Sequence, residues 1–453
     1  MCRKESFRQS TQFTIRIMHV AIVTAGGAGM FCGSCMHDNT WARALRDAGV
    51  EVTLIPTYTP IRVDEENISS RRVFFGGINV YLEHRWDFWR RLPRWMTRWV
   101  DHPKLISLAT SFSVSSDASN LGELTLAMLD GESGPQQTDV EELAAFIGND
   151  LKPDVVCFSN ALLCGVLRRL KQQFSGPVFC TLQGDDIFLD SLPDGFRAET
   201  IRRMSERCAD FDGFLVHSHF YRDHMSELLS LPAERFHRIP LGIDFSDFEG
   251  QPKAVAGEPF RIGYFARICP EKGLHVLIDA VRTLRQHGRS VRLVAGGYLG
   301  ARDQAWFDRL RKDAADLGTA FEYAGSPPDH AGKVAFLQTL DVLCVPTVYR
   351  EPKGIFVLES LASGVPVVQP AHGSFPELLD QAGGGLLYQP DDPADLVNSL
   401  ERVIDEPALR LRLATEGSSR VREAFSMEAM VRQTQAIFEA QLQSLQAIPV
   451  KQE

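Results

Sequence analysis

Two glutamates dominate the chemistry this sequence can offer. Glu351 and Glu359 lie in REPKGIFVLESLASGVPVV, residues 350–368. Pro352-Lys353-Gly354 reads as a helix start, with Glu351 just before it and Glu359 about a turn and a half inside. Such a pair could be the acid and base of a hydrolase, or carboxylates accepting hydrogen bonds from sugar or ribose hydroxyls. On its own, Glu359 reads equally as a solvated helical glutamate. Gly354 has no side chain, so an anionic ligand could reach the amides of the helix start. A second charged group, Arg267 and Lys272 in ARICPEKG, falls where a strand gives way to a helix. Two cations and free amides there would suit a phosphate, although alone they are an ordinary solvated pair.

The first half carries three further candidates. A glycine-rich loop, Ala25 to Cys35, follows the first strand-like run. Gly27 and Gly29 suit close approach to phosphate, but the third glycine, Gly33, is one place late for a dinucleotide fingerprint. Strand two also ends without the ribose-binding acid. Cys32 and Cys35 have the spacing of a redox pair at a helix N-terminus; the blander reading is two small residues in a tight loop. No second such pair accompanies them, so a four-ligand zinc site is not expected. In Gln183-Gly184-Asp185-Asp186, Asp185 could act as a base, bind a hydroxyl, or cap a helix.

The elements that position these residues alternate strand and helix. Met18–Val23, Val50–Pro56, Asp154–Ser159, Pro177–Leu182 and Gly213–Val216 are short apolar runs, as expected of strands buried on both faces. Ile239 to Asp244 closes this series. Helices are expected at about 36–48, 121–129, 140–151, 162–174, 198–208 and 220–229. Val73–Phe75 and Ile78–Leu82 flank a Gly-Gly hairpin signal. After a Gly/Pro-rich linker at 249–259, a second series begins, with strands near Phe260–Phe265, Val291–Ala295, Phe321–Ala324, Val342–Val345 and Val365–Gln369. The sequence thus predicts two doubly wound α/β domains, 18–248 and 260–424, with residues 57–150 a variable insertion in the first.

Composition sets limits. The chain has 453 residues, 44% hydrophobic and 23% charged, with a net charge of −10. That acid balance argues against a general nucleic-acid binder. The nine cysteines are scattered, and Cys157, Cys180 and Cys344 sit in apolar runs, which suggests a reducing compartment. No run is long enough to span a membrane. Residues 1–17 lack a secretory pattern and are expected to be a disordered extension. Residues 84–104, HRWDFWRRLPRWMTRWVDHPK, hold four of the six tryptophans among arginines. They could contact a membrane interface peripherally, or pack on the domain and line an acceptor site.

Taken together, ARICPEKG, RIPLGID, EPKGIFVLE, SLASGVPVV and HGSFPE resemble the retaining nucleotide-sugar glycosyltransferases of GT-B fold, family four (group 1). The match is strongest over 258–440, weaker over 18–56 and 154–245, and absent from 57–150. The resemblance implies two Rossmann-like domains facing across a cleft, with a final segment, 425–453, crossing back to the first. Donor binding would fall to Arg267, Lys272, Ser326, Glu351, Lys353, Gly354, Ile355, Phe356 and Glu359, opposed by Gly27 and Gly29. Arg267, Lys272, Glu351 and Asp185 are the expected catalytic group, and Gln183 and Asp185 the acceptor side. No metal or other cofactor is implied beyond the nucleoside-diphosphate sugar substrate. Glycan or lipid-linked acceptors, polysaccharide assembly and a cytoplasmic site, with peripheral contact at the inner membrane face, are the expectations from the same analogy. The competing expectations are a nucleotide-sugar 2-epimerase, a non-catalytic nucleotide-sugar-binding protein, and a thiol redox protein. Two departures from the family pattern stand out. Gln183 occupies the place where many relatives carry a histidine, and Lys353 replaces a more frequent phenylalanine.

Overall fold

The computed structural model describes residues 17–26, 32–70, 72–75, 118–248 and 250–447. Gly27, Gly29, most of the 1–17 extension, the Gly-Gly hairpin and the Trp/Arg stretch 84–104 lie outside the described residues. No described helix is long and apolar enough to cross a membrane.

Two parallel six-stranded sheets organise the chain. The first contains β1 (His19–Thr24), β2 (Glu51–Pro56), β3 (Val155–Phe158), β4 (Val178–Thr181), β5 (Gly213–Val216) and β6 (Phe236–Arg238), in the order β2-β1-β3-β4-β5-β6. The second contains β7 (Phe260–Phe265), β8 (Val291–Gly296), β9 (Phe321–Gly325), β10 (Val342–Cys344), β11 (Val367–Pro370) and β12 (Gly385–Tyr388), in the order β12-β11-β10-β7-β8-β9. β3, β4, β5, β10 and β11 are buried at every position. Helices on both faces of a parallel sheet require such apolar runs. The fold is therefore the expected pair of Rossmann-like domains of GT-B type.

Each strand order reverses direction once. That reversal leaves a crevice beyond the strand C-termini where loops diverge and ligands bind. In the first sheet it falls between β1 and β3; in the second, between β7 and β10. The loops after β7 and β10 carry Arg267, Lys272 and Glu351. They approach so closely that a Cβ on Gly273 (φ +75°) would lie 1.8 Å from the Pro346 carbonyl oxygen. Only glycine fits there.

Several elements differ from the sequence reading. The segment 140–151 is not one helix: Gln137–Ala145 is α-helical and Phe146–Leu151 winds more loosely as a π-turn. Gly148 allows that path, since a Cβ there would lie 2.7 Å from the Gln173 carbonyl. Residues 162–174 begin as a 3-10 turn, Ala161–Val166, and only Leu167–Lys171 is α-helical. The strands β6 and β12 are additions to the expected set. The final helix, Met427–Gln446, returns to the first sheet. There Trp41, from the Gly33–Asp47 helix, donates from Nε1 to Thr434 Oγ1 at 3.2 Å, and Phe438 packs 5.1 Å from the Phe179 ring.

A candidate nucleotide-sugar site between the two sheets

The loop after β10 delivers Glu351 into a site that is 5% exposed. Its Oε2 accepts from Lys272 Nζ at 2.6 Å and from Tyr349 Oη at 2.7 Å. Its Oε1 faces the Lys353 and Gly354 amides at 3.4 and 3.3 Å. Burial pushes this carboxyl up, but the Lys272 ammonium and the Tyr349 hydroxyl hold it below the usual range. Lys272 also sits 5.0 Å from the Tyr349 ring and 5.3 Å from the Phe356 ring. An ammonium near two aromatic rings is attracted by their electron-rich faces and so is held in place. Gly354 (φ +76°) turns the chain into the Ile355–Ala362 helix, and a Cβ there would lie 2.8 Å from Leu378.

Glu359 is reached differently. It is 7% exposed, and its Oε1 accepts from Lys333 Nζ at 2.7 Å. The same ammonium lies 2.7 Å from Asp64 Oδ2, which comes from the loop after β2 in the first domain. His330 stands 3.9 Å from Asp64 and 3.6 Å from Asp247. Burial raises the Glu359 carboxyl despite Lys333. Desolvation alone would lower Lys333, but its two carboxylates raise it.

Between these groups lies a cavity of about 250 Å³. Arg267, Lys272, Ser326, Ile355, Phe356 and Glu359 all line it, as do Lys333 and Asp64. The structure thus brings most of the expected donor residues to one space. Arg267 is the open member, with its side chain 45% exposed and 3.8 Å from Glu271. Tyr264 Oη, in turn, donates to the Arg267 carbonyl at 3.1 Å and fixes the backbone there.

The first domain supplies the facing wall. Asp38, fully buried, accepts from Thr24 Oγ1 at 2.7 Å and from Gln183 Nε2 at 2.7 Å. Gln183 Oε1 then accepts from Lys353 Nζ at 2.9 Å, across the domain boundary. Ser34 Oγ is 3.3 Å from the same ammonium. Asp185 is placed beneath rather than within this wall. It is 2% exposed, and its two oxygens accept from the Ala161 amide at 2.7 Å and the Gln183 amide at 3.0 Å. Burial pushes its carboxyl up to about 6. The arrangement makes Asp185 a brace for Gln183.

Lys333, Asp64, Tyr349, Asp38 and His37 were not singled out from the sequence. His37 lines the cavity, is 2% exposed, and neither ring nitrogen has a hydrogen-bond partner among the described residues. Its spacing from Trp41 on an amphipathic helix reads as core, and nothing local marks it otherwise. Cys32 is half-buried and Cys35 buried. A hydrogen bond from Cys35 is the main cause that lowers the Cys32 thiol to about 6; burial opposes it and the Lys353 charge assists. Among the described residues, no group of three His, Cys, Asp or Glu side chains could hold a metal ion.

Comparison with known proteins gives the same outline. A phosphatidyl-myo-inositol mannosyltransferase of Mycobacterium leprae is 31% identical over 189 residues, 41% of this chain and 48% of that protein. A glycogen synthase of Mycobacterium tuberculosis is 25% identical over 63% of this chain and 69% of its own length. The chain spans about half the length of the first curated relatives it matches. Among solved structures, sucrose-phosphate synthase from Thermosynechococcus elongatus superposes with a TM-score of 0.70 at 18% identity, covering 94% of this chain and all of that one. Anabaena HepE in complex with UDP does so at 0.65 and 16%, with the same coverage. These likenesses establish a shared fold. Residues 39–242 match the glycosyl transferase 4-like domain and residues 246–420 the glycosyl transferases group 1 family, so that the two matched segments together take in both sheets and the cavity between them, and the chain belongs to the group 1 glycosyltransferases.

Proposed function

We propose that this protein transfers a hexose from a nucleoside-diphosphate sugar to a glycan or lipid-linked acceptor, with retention at the anomeric carbon and without a metal ion. The observation that carries the reading is the Lys272–Glu351 pair at the strand reversal of the second sheet, with Arg267 beside it on the same cavity. When the sugar–phosphate bond breaks, negative charge builds on the leaving diphosphate. Arg267, Lys272 and the first amides of the Ile355–Ala362 helix are preorganised to meet it, and fixed charges and dipoles of this kind stabilise developing negative charge without reorganising. Glu351 keeps Lys272 aimed and, held ionised by it, can accept a sugar hydroxyl. Glu359 accepts ribose hydroxyls at the other end, displacing or sharing the Lys333 contact. Ser326 and Pro327 border the place for the base.

The two glutamates are therefore read as binding groups rather than as a hydrolase pair. On this reading the acceptor's proton goes to an oxygen of the departing phosphate, and the new bond forms on the face the nucleotide leaves. Asp185 contributes by holding Gln183 at the acceptor side. Similarity to a phosphatidyl-myo-inositol mannosyltransferase supports a lipid or glycan acceptor, and with it work at the cytoplasmic face of a membrane.

The test is a panel of UDP-, GDP- and ADP-sugars with the purified protein. One donor class is expected to raise the melting temperature and to be hydrolysed slowly, and NMR of the released or transferred sugar to show the starting anomeric configuration. EDTA should leave the rate unchanged. If no donor shifts the melting temperature, or Lys272→Ala responds as the wild type does, the donor site is misassigned.

A further inference from the structure

Three lysine ammonium groups lie around the cleft, Lys333 and Lys353 buried and Lys272 half-buried, and their partners differ. Lys272 is paired with Glu351, and Lys333 with both Glu359 and Asp64. Lys353 is 7% exposed, yet its Nζ is held by the Gln183 amide oxygen and the Ser34 hydroxyl, both neutral. Among the described residues it has no carboxylate within 4.0 Å. Asp38 and Glu351 are the nearest carboxylates. Asp38 is separated from it by the Gln183 amide, and Glu351 already serves Lys272 and Tyr349.

A buried ammonium whose hydrogen-bond partners are both neutral is costly, because two such bonds do not replace its hydration, and the Cys32 thiol is the one acidic group other than the carboxylates whose charge bears on it. Proteins keep such a charge where a counter-charge arrives with a ligand. Lys353 is also two residues from Glu351 and one from the Gly354 amide, and its partner Ser34 adjoins Gly33, which lines the cavity. The two departures from the family pattern, Gln183 and Lys353, are in direct contact, so they form one device. Asp38 orients the Gln183 amide, whose oxygen then has only one direction in which to hold the ammonium.

We infer that Lys353 is a specificity-determining residue that reads an anionic substituent, a carboxylate or a phosphate, presented by the ligand on the sugar side of the cleft. This rests on the nucleotide-sugar reading above. The anion comes either on the transferred sugar or on the acceptor. In both cases it replaces the Ser34 contact and forms a charge-assisted bond, stronger than the neutral ones it displaces.

Two matched pairs separate the sources. For the donor, UDP-glucuronate is compared with UDP-glucose and GDP-mannuronate with GDP-mannose. For the acceptor, glucose 6-phosphate is compared with glucose in the presence of UDP or GDP. Affinities are read by calorimetry. The wild type is expected to favour the charged member of one pair by about tenfold or more. In Lys353→Met that ratio should fall to about two, while Lys353→Arg retains it. Cys32→Ser should keep the preference, because the thiol is not its source. No preference in any pair overturns the inference. So does an equal loss of charged and neutral ligands in Lys353→Met, which would make the lysine a strut between domains. If Lys353→Met unfolds, a neutral-preferring wild type or a Lys353→Arg variant without the preference overturns it equally. Failure of the transferase reading looks different: no UDP, GDP or derivative of either binds the wild type at all.

Discussion

The two strand reversals that face each other across the cleft are built from different chemistry. In the second domain the reversal between β7 and β10 carries full charges, Arg267, Lys272 and Glu351, arranged before any ligand arrives. In the first domain the reversal between β1 and β3 carries a hydrogen-bonded relay, Thr24 to Asp38 to Gln183, braced from below by Asp185. On the proposed function, the charged side would meet a ligand part of constant structure, a diphosphate. The relay side presents a fixed amide oxygen to Lys353 and no carboxylate. On the proposed reading, constant recognition rests on the charges of the second sheet and selectivity on the Lys353–Gln183 contact between the two.

The comparison can be broken in stability first. Trp41→Ala, which removes the ring between the first sheet and the final helix, is expected to cost about 3–5 kcal/mol. Two-domain unfolding should then separate, with the first domain melting earlier in calorimetry. A single transition shifted as a whole would show that the domains unfold as one unit.

Next comes the charged wall. Lys272→Ala should lower kcat/KM for the nucleotide sugar by about 10²–10³-fold, the usual loss when a preorganised charge stabiliser is removed. A change only in KM would mean that Lys272 binds ground state and transition state alike.

A smaller effect concerns Asp185. Its carboxyl is raised from 3.8 to about 6 in the folded protein, so the native state holds a proton that the unfolded chain has lost. Stability due to this group therefore falls as pH rises through that window, by at most about 1.4 kcal/mol per pH unit. Asp185→Asn should flatten the slope of stability against pH between 4 and 6. An unchanged slope would show that Asp185 stays ionised across that window.

The smallest expected change is at the rear of the interface. Glu377, from the second domain, accepts from the His219 amide at 2.8 Å and from the Phe220 amide, at the start of a first-domain helix. Glu377→Ala should cost about 1 kcal/mol. Small-angle scattering should show a wider distribution of interdomain distances, and no widening would confine Glu377 to local capping.

How much of this was legible depends on locality. β10 is an apolar run and β7 is one broken only by Arg261, with charges in the loops beyond their ends, so Arg267, Lys272 and Glu351 could be placed by pattern. β6 is three residues, two of them the half-buried His237 and Arg238, and β12 follows consecutive glycines; neither has the longer apolar run that betrays a central strand. Both are edge strands, where one side of pairing suffices. Lys333 and Asp64 were invisible for another reason. Their bond joins residues far apart in sequence and in different domains, and each alone is a common surface residue. Glu359 was read as a ligand for hydroxyls, and nothing nearby announced that a lysine already reaches it.

The return of the final helix has a consequence for synthesis. The face of the first sheet that holds Val20, Ile22 and Phe179 is completed by Met430, Val431 and Phe438. These residues leave the ribosome only after every strand of the second sheet, since the helix follows them all in the chain. The first domain to emerge thus keeps an apolar face uncovered while the second domain is made. A nascent chain stalled in the second domain is therefore a form exposed to chaperones and to aggregation.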